Sequence, residues 1–349
     1  MSELAGIIGD MIAEDGPMAI DRYMTLCLSH PVHGYYMTRD PFGRSGDFTT
    51  APEISQVFGE LIGVWVAQGF EALGKPRKFA LVELGPGRGT LMADVLRVLQ
   101  KAEPVAKAAQ VHFVEMSPVL REAQGRLVPR ATWHDNIASL PALPTIVIAN
   151  EFFDALPIRQ FERHEGQSLE RRIVVTEAGL QMVRQPSSFR IKASGEGVWE
   201  DHTIREAFAT ALGDHLARLG GLCLVIDYGH TRSAFGDTLQ ALKAHQHCAI
   251  TDFPGEADIT AHVDFESVAR GLAKGGLGKA SLLTQGEFLS AMGLEQRTAM
   301  LRQSVPEKVG QDLVAASARL AHPDQMGQLF KVLAAASREV ALPYPFGAR

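Results

Sequence analysis

Residues 81–91, LVELGPGRGTL, bring together an acid, three alternating glycines and the start of an amphipathic run. Val82 and its apolar neighbours read as a buried strand with Glu83 near its tip. Gly85, Gly87 and Gly89 follow, and a helix opens at Thr90. A strand that ends in glycines and leads into a helix presents bare backbone N–H groups at a positive helix terminus, where a nucleotide-like ligand can lie against the main chain. The spacing is G-x-G-x-G, not the dinucleotide pattern G-x-G-x-x-G. Polar residues then recur just past successive apolar runs. Glu115 stands where an acid meets ribose hydroxyls, two of which a carboxylate can accept. Asp135 and Asn136 could take an adenine amino group while Ile137 covers the ring. Asn150, Glu151 and Asp154 fall within NEFFDALP, and Asp227 follows a later run. Two acids and an amide at the mouth of an apolar strand are costly to bury unless paired or wet, so they suggest a site for a positively charged or hydrogen-bonding substrate. Plainer readings stand beside these: Glu115 as a solvent-facing acid, NEFFDALP as a cap for the next turn.

The elements that must position these residues alternate from residue 79 onward. Strands are expected at 79–84, 111–115, 132–134, 145–149, 222–226, 280–283 and 328–334. Helices are expected at 90–101, 118–127, 204–219, 265–272, 287–292 and 309–320. This alternation predicts an α/β fold with a largely parallel sheet covered on both faces. In such a sheet the ligand sits outside the carboxyl ends of the strands, where strand order reverses. Upstream, Leu4, Ile7, Ile8, Met11 and Ile12 keep helical spacing, and Pro17 suits the first turn of a second helix. A loop rich in glycine and aromatic residues, 30–53, reads as functional. It leads into a helix from Pro52, where Val57, Phe58, Leu61, Ile62, Trp65 and Val66 form a core-facing stripe. Residues 159–162, 171–176 and 180–183 alternate polar and apolar, as in antiparallel hairpins with one wet face. The expected organisation is an N-terminal helical region with a lid loop at 1–75 and a Rossmann-like domain at 76–335. That domain carries insertions at about 158–200 and 229–261, the second irregular; a C-terminal tail covers 336–349, loose from Pro343 onward.

The chain has 349 residues, 46% of them hydrophobic, and a formal net charge of −6, which disfavours a nonspecific nucleic-acid binder. Cys27, Cys223 and Cys248 are far apart, so neither a disulfide framework nor a zinc knuckle is expected, and a reducing cytoplasm fits. His245, His247 and Cys248 read as a polar loop rather than a metal site. No apolar run is long enough for stable membrane insertion, and no basic leader precedes the first helix. A nucleotide-linked oxidoreductase is the rival enzyme class, disfavoured by the compressed glycine spacing.

LVELGPGRGTLMADVLR, HFVEMSP, ANEFFDALP and IDYG, preceded by GDFTTAPEISQVFGE and followed by DITAHVDF and LTQGEFL, resemble the MidA-like family. These are class I S-adenosylmethionine-dependent methyltransferase-fold proteins of bacteria and mitochondria, and the resemblance runs from about Pro17 to about Ala334. It implies a Rossmann-like class I methyltransferase sheet and S-adenosylmethionine as cofactor. The mitochondrial member assembles respiratory complex I and symmetrically dimethylates an arginine of a core subunit. The resemblance therefore implies a protein arginine N-methyltransferase; the alternative is a non-catalytic assembly protein that retained the fold. By the same resemblance Gly85, Gly87, Gly89, Glu83 and Glu115 would hold the cofactor. Gly46, Asp47 and Thr49 would close over it, and Asn150, Glu151 and Asp154 would line the target side. Glu53 and Asp227 stand in reserve for the acid clamp, and His262 is a further target-side candidate. The location implied is the bacterial cytoplasm or, for a mature eukaryotic form, the mitochondrial matrix. The inserted hairpins could pair between chains, giving a homodimer, as easily as fold back.

Overall fold

The structure, a computed structural model, describes residues 2–40 and 50–347. Seven strands of its central sheet, numbered in chain order, are β1 Phe79–Leu84, β2 Ala109–Val114, β3 Thr132–His134, β4 Thr145–Asn150, β5 Gly221–His230, β6 Ser281–Thr284 and β7 Phe330–Ala336. They lie in the order 3-2-1-4-5-7-6. β1 to β5 pair in parallel, whereas β7 runs antiparallel to both β5 and β6. A two-residue strand, Val263–Asp264, runs parallel to the end of β5. The order reverses between β1 and β4, so a crevice opens outside their carboxyl ends.

β1 and β4 are buried along their whole length, which is why they read as continuous apolar runs. Successive residues go to opposite faces. Leu81, Ile146, Ile148, Leu222 and Leu224 join one core with helices Gln56–Ala72 and Thr90–Leu99. Val82, Val147, Ala149 and Val225 join a second core with helices Thr203–Leu219 and Phe265–Lys274. On the first face a Cβ at Gly59 would lie 2.5 Å from Cβ of Asp94, so the two helices approach to a separation only glycine permits.

A third core lies apart from the sheet. Leu4, Ile8, Tyr23 and Met24 of helices Glu3–Asp15 and Ile20–Ser29 meet Ile158, Ile173, Ala241 and Ile259 of the insertions. The first insertion carries strands Arg159–His164, Gln167–Thr176, Gly179–Pro186 and Gly197–Asp201, paired antiparallel within the chain. Its open edge captures Met18–Ala19, which pair with Ile173 and Arg172. The second helix therefore starts at Ile20, later than Pro17 suggested, because strand pairing overrides the helix-start preference of proline.

Three further expectations are corrected. The segment taken as irregular, 229–261, contains an antiparallel sheet of Gln240–Lys243, Gln246–Cys248 and Asp258–Thr260; strands this short give no readable alternation. The stretch from Pro343 is not loose as far as residue 347: Phe346 packs on the first core, its ring 5.7 Å from Phe288. The long helix begins at Gln56, capped by Ser55, after a separate turn Ala51–Ile54. Among the described residues no helix is long and apolar enough to cross a membrane.

Candidate active site

A cavity of about 610 Å³ runs along the carboxyl ends of β1, β2 and β4. Its first half is built around the glycine turn. Gly85, Gly87 and Gly89 hold φ of 58°, 53° and 86°, the left-handed region in which a side chain is strained. Gly85 and Gly87 line the cavity, and Gly89 opens helix Thr90–Leu99. A Cβ on Gly85 would come within 2.9 Å of the Phe152 ring. Glu83 lines the same wall with one carboxyl oxygen buried and unpartnered, and burial pushes its carboxyl well above the usual range. Glu115 accepts the Ser117 amide at 2.8 Å and the Gln124 side-chain amide at 3.1 Å. Gln124, fully buried, also donates to the Gly87 carbonyl at 2.7 Å and accepts from the Trp133 indole at 2.7 Å. It thus fixes Glu115 against the glycine turn. In the sequence it looks like any polar residue of an amphipathic helix, so nothing there marked it.

Asp135 and Asn136 line the far end of this half, but both have partners of their own. Asp135 is exposed and pairs with Arg121 at 2.6 Å, and the Asn136 carbonyl oxygen caps the next turn through the Ala138 amide at 3.0 Å. Glu53 belongs here and not with the acids after β4: it accepts the Thr90 hydroxyl at 2.7 Å and lies 3.9 Å from Arg88. Gly46, Asp47 and Thr49 lie outside the described residues.

The second half follows β4. Asn150, Glu151 and Asp154 line it together with Tyr36, Tyr228, Asp258 and His262. Glu151 keeps some surface toward the cavity and sits at φ 50°. It accepts the Ala51 amide at 3.2 Å and the Asn150 side-chain amide at 3.3 Å. Burial of its carboxyl, then the charge of Asp154, push it up to about 8. One Asp154 oxygen accepts the Tyr228 hydroxyl at 2.7 Å; the other is buried without a partner, as is the Asn150 carbonyl oxygen. Burial raises Asp154, opposed by Tyr228 and the Arg205 charge. Asp258 accepts the Tyr36 hydroxyl at 2.8 Å. The His262 ring packs against Tyr228 at 5.4 Å.

Two charged residues shape this half from behind. Asp227 is wholly buried, and one of its oxygens accepts the amides of Phe152, Phe153 and Asp154 at 3.2, 3.0 and 3.2 Å. It is a strut for the NEFFDALP turn, not a reserve ligand. Arg205, also wholly buried, donates to the carbonyls of Leu156 (3.0 Å), His262 (2.7 Å), Asp154 (2.7 Å) and Ala261 (3.2 Å). It locks the turn after β4 to the segment before Val263. Arg205 was not anticipated; an arginine in an amphipathic helix reads as surface.

Residues 61–281 match a family model described as "Putative S-adenosyl-L-methionine-dependent methyltransferase". The chain belongs to this family. The mitochondrial protein arginine methyltransferase NDUFAF7 homolog of Drosophila melanogaster is 37% identical over 93% of this chain and 82% of its own. The human protein arginine methyltransferase NDUFAF7 is 33% identical over 93% and 81%. A solved superfamily member from Burkholderia thailandensis, bound to S-adenosyl-homocysteine, superposes with a TM-score of 0.83 at 27% identity, covering 99% of this chain and 95% of that one. The fold is thus the class I methyltransferase fold, the protein an S-adenosylmethionine-dependent methyltransferase, and the oxidoreductase reading falls. The first half of the cavity fits a methyltransferase's nucleoside cofactor on its own evidence. It offers main chain free of Cβ atoms, an unpartnered Glu83 oxygen and a carboxylate fixed at Glu115. Phe152, Leu156, Phe208 and Phe330 add apolar surface to the cavity walls, which suits a site that excludes water.

Proposed function

We propose that this methyltransferase acts on protein arginine, with Glu151 and Asp154 gripping the guanidinium and Asn150 beside them. The observation that carries the reading is a buried acid pair with acceptor atoms to spare, next to the glycine turn. One Asp154 oxygen and the Asn150 side-chain oxygen have no donor, and Arg205 directs its own donors to backbone carbonyls. A guanidinium keeps its charge at any protein pH and offers a planar fork of donors, which such acceptors suit. On the cofactor side we assign Gly85, Gly87, Gly89 and Glu83 to the amino-acid tail, Glu115 to the ribose, and Asp135 and Asn136 to the base; Gly46, Asp47 and Thr49 remain proposed closing residues. S-adenosylmethionine supplies a methyl group already activated by its sulfonium. The chain's task is to hold one guanidinium nitrogen in line with that methyl in a dry site. The nitrogen that gains a methyl must shed a proton, and Glu151, ionised once the guanidinium sits beside it, is our choice of acceptor.

The relatives named above are mitochondrial arginine methyltransferases. On the family resemblance we extend the reading to symmetric dimethylation of a respiratory complex I core subunit during assembly, in the matrix or a bacterial cytoplasm. Mass spectrometry of the complex I peripheral arm, with and without this gene, tests the target. A mark that vanishes on deletion supports it, whereas assembly that needs the protein while no mark changes returns the non-catalytic alternative. With purified protein, Glu151→Gln and Asp154→Asn are each expected to cut methylation roughly 10- to 100-fold, the effect of losing a charged hydrogen bond. Affinity for S-adenosyl-homocysteine should stay within about twofold of wild type, since these acids stand outside the glycine-turn half. Unchanged methylation would remove them from the clamp.

A further inference from the structure

We propose that His202, His230 and Asp264 form a binding site for a divalent transition-metal ion, zinc by its donor set, which pins three elements together behind the target half of the cavity. The proposal is independent of the arginine reading. The three residues lie far apart in the chain and match no ligand spacing, so the sequence does not mark them. Folding brings one donor atom of each within 4.8 Å of the other two.

Each donor arrives on a different element. His230 ends β5, and Asp264 ends the short strand Val263–Asp264. The two are partners across that parallel ladder, so their side chains leave the same face of the sheet. His202 stands immediately before helix Thr203–Leu219, its ring 6.1 Å from that of His230. His202 is only 8% exposed, and its Nδ1 is buried without a hydrogen-bond partner. A metal ion is a natural partner for such an imidazole beside a second histidine and a carboxylate. Asp264 is already oriented. One oxygen accepts the Glu266 and Ser267 amides at 3.0 and 3.2 Å, and the other accepts the Ser233 hydroxyl. Ligating carboxylates are held by outer hydrogen bonds of this kind, and an oxygen with one donor has a second lone pair for a metal.

Two imidazoles and a carboxylate suit zinc, with water as a fourth ligand. Zinc binds these groups at about 2.0–2.2 Å in a tetrahedron, which sets its donors roughly 3.4 Å apart. Side-chain rotation closes the present wider spread to that figure. Two helices start here, at Thr203 and Phe265, and their positive ends disfavour hard cations held by charge alone, such as calcium and magnesium. Nitrogen donors offset this for zinc. The arginines whose charges reach His202 are committed elsewhere, Arg205 to four carbonyls and Arg270 to Glu206 at 2.7 Å. None of the three ligands lines the cavity, so the ion's role is structural: it fixes the start of the helix that carries Arg205.

The test uses the untagged full chain, stripped with a chelator, and two probes, zinc followed calorimetrically and cobalt(II) followed by its visible absorption. Wild type is expected to bind one zinc ion per chain, to melt a few degrees higher with excess zinc, and to give cobalt bands of four- or five-coordinate intensity. His202→Ala, His230→Gln and Asp264→Asn should each weaken zinc at least about tenfold and abolish the cobalt bands. Asp264→Asn retains an acceptor for the helix cap, and His230 is only half-buried, so these two should fold with a metal-free melting temperature near that of wild type. His245→Ala, on an exposed turn, should change nothing. A wild type that binds no zinc overturns the proposal. So does binding that survives all three substitutions or disappears with His245→Ala, since the ion is then held on the surface.

Discussion

At the scale of single residues, Glu151 has the most measurable chemistry. Its carboxyl lies near 8 in the chain alone, so at pH 7 it is mostly protonated. A guanidinium beside it favours the ionised form, and binding must then expel the proton. Calorimetry of an arginine peptide in buffers of different ionisation enthalpy should show release approaching one proton per peptide at pH 7, fading above pH 9. Release that does not change with pH would place Glu151 away from the ligand. The same shift bears on stability. The folded-state value is raised from 4.5 to about 8, so the stabilisation is complete below pH 4.5 and is lost as pH rises through 8. The melting temperature of the protein without ligands should decline over that window, and Glu151→Gln should flatten the decline. The sequence located this acid by its place just past an apolar strand. It could not separate it from Asp227, which stands at the same edge one strand away. The difference is direction. Asp227 turns back to collect three amides of the neighbouring turn, and Glu151 faces the cavity. Which way a carboxylate turns is decided by the partner strand's loop, not by its own neighbours in the chain.

At the scale of elements, the site depends on two devices. Arg205 ties the turn after β4 to the segment leading into Val263 through four carbonyls. Arg205→Met should cost about 3–5 kcal/mol in urea unfolding, since it removes a buried cation and strands its acceptors. Arg205→Lys retains the charge without the fork. It should fold and raise KM for the target several-fold while leaving KM for the cofactor near wild type; the opposite pattern would detach Arg205 from the target side. Gly85→Ala meets both a φ of 58° and the Phe152 ring. Its strain should cost about 1–2 kcal/mol, and S-adenosyl-homocysteine affinity should fall at least about tenfold, because the turn must move to relieve it. Of the elements, those from Phe79 onward were legible because buried parallel strands are unbroken apolar runs between amphipathic helices. Helix Leu294–Arg302 was not: it buries only Leu294 and Thr298, too sparse a face to register as periodic, and is held instead by Arg297 on Glu60 at 2.6 Å.

At the scale of the whole molecule, hydrophobic burial among the described residues falls into three cores, two on the faces of the sheet and one beneath the first two helices and the insertions. Phe346 belongs to the first. Phe346→Ala should lower stability by roughly 2 kcal/mol, less than a fully buried ring would cost, with no change in S-adenosyl-homocysteine affinity; an unaltered denaturation midpoint would show the tail to be dispensable. The third core has a wider consequence. Tyr36, Leu242, His247 and Asp258 reach the cavity from elements that this core supports, whereas the glycine turn and Glu115 stand on the sheet. The cavity is thus walled from two separately packed supports, and a substitution in the third core is expected to leave the glycine turn in place. One wall can drift in sequence over generations while the backbone that meets the nucleoside stays where it is.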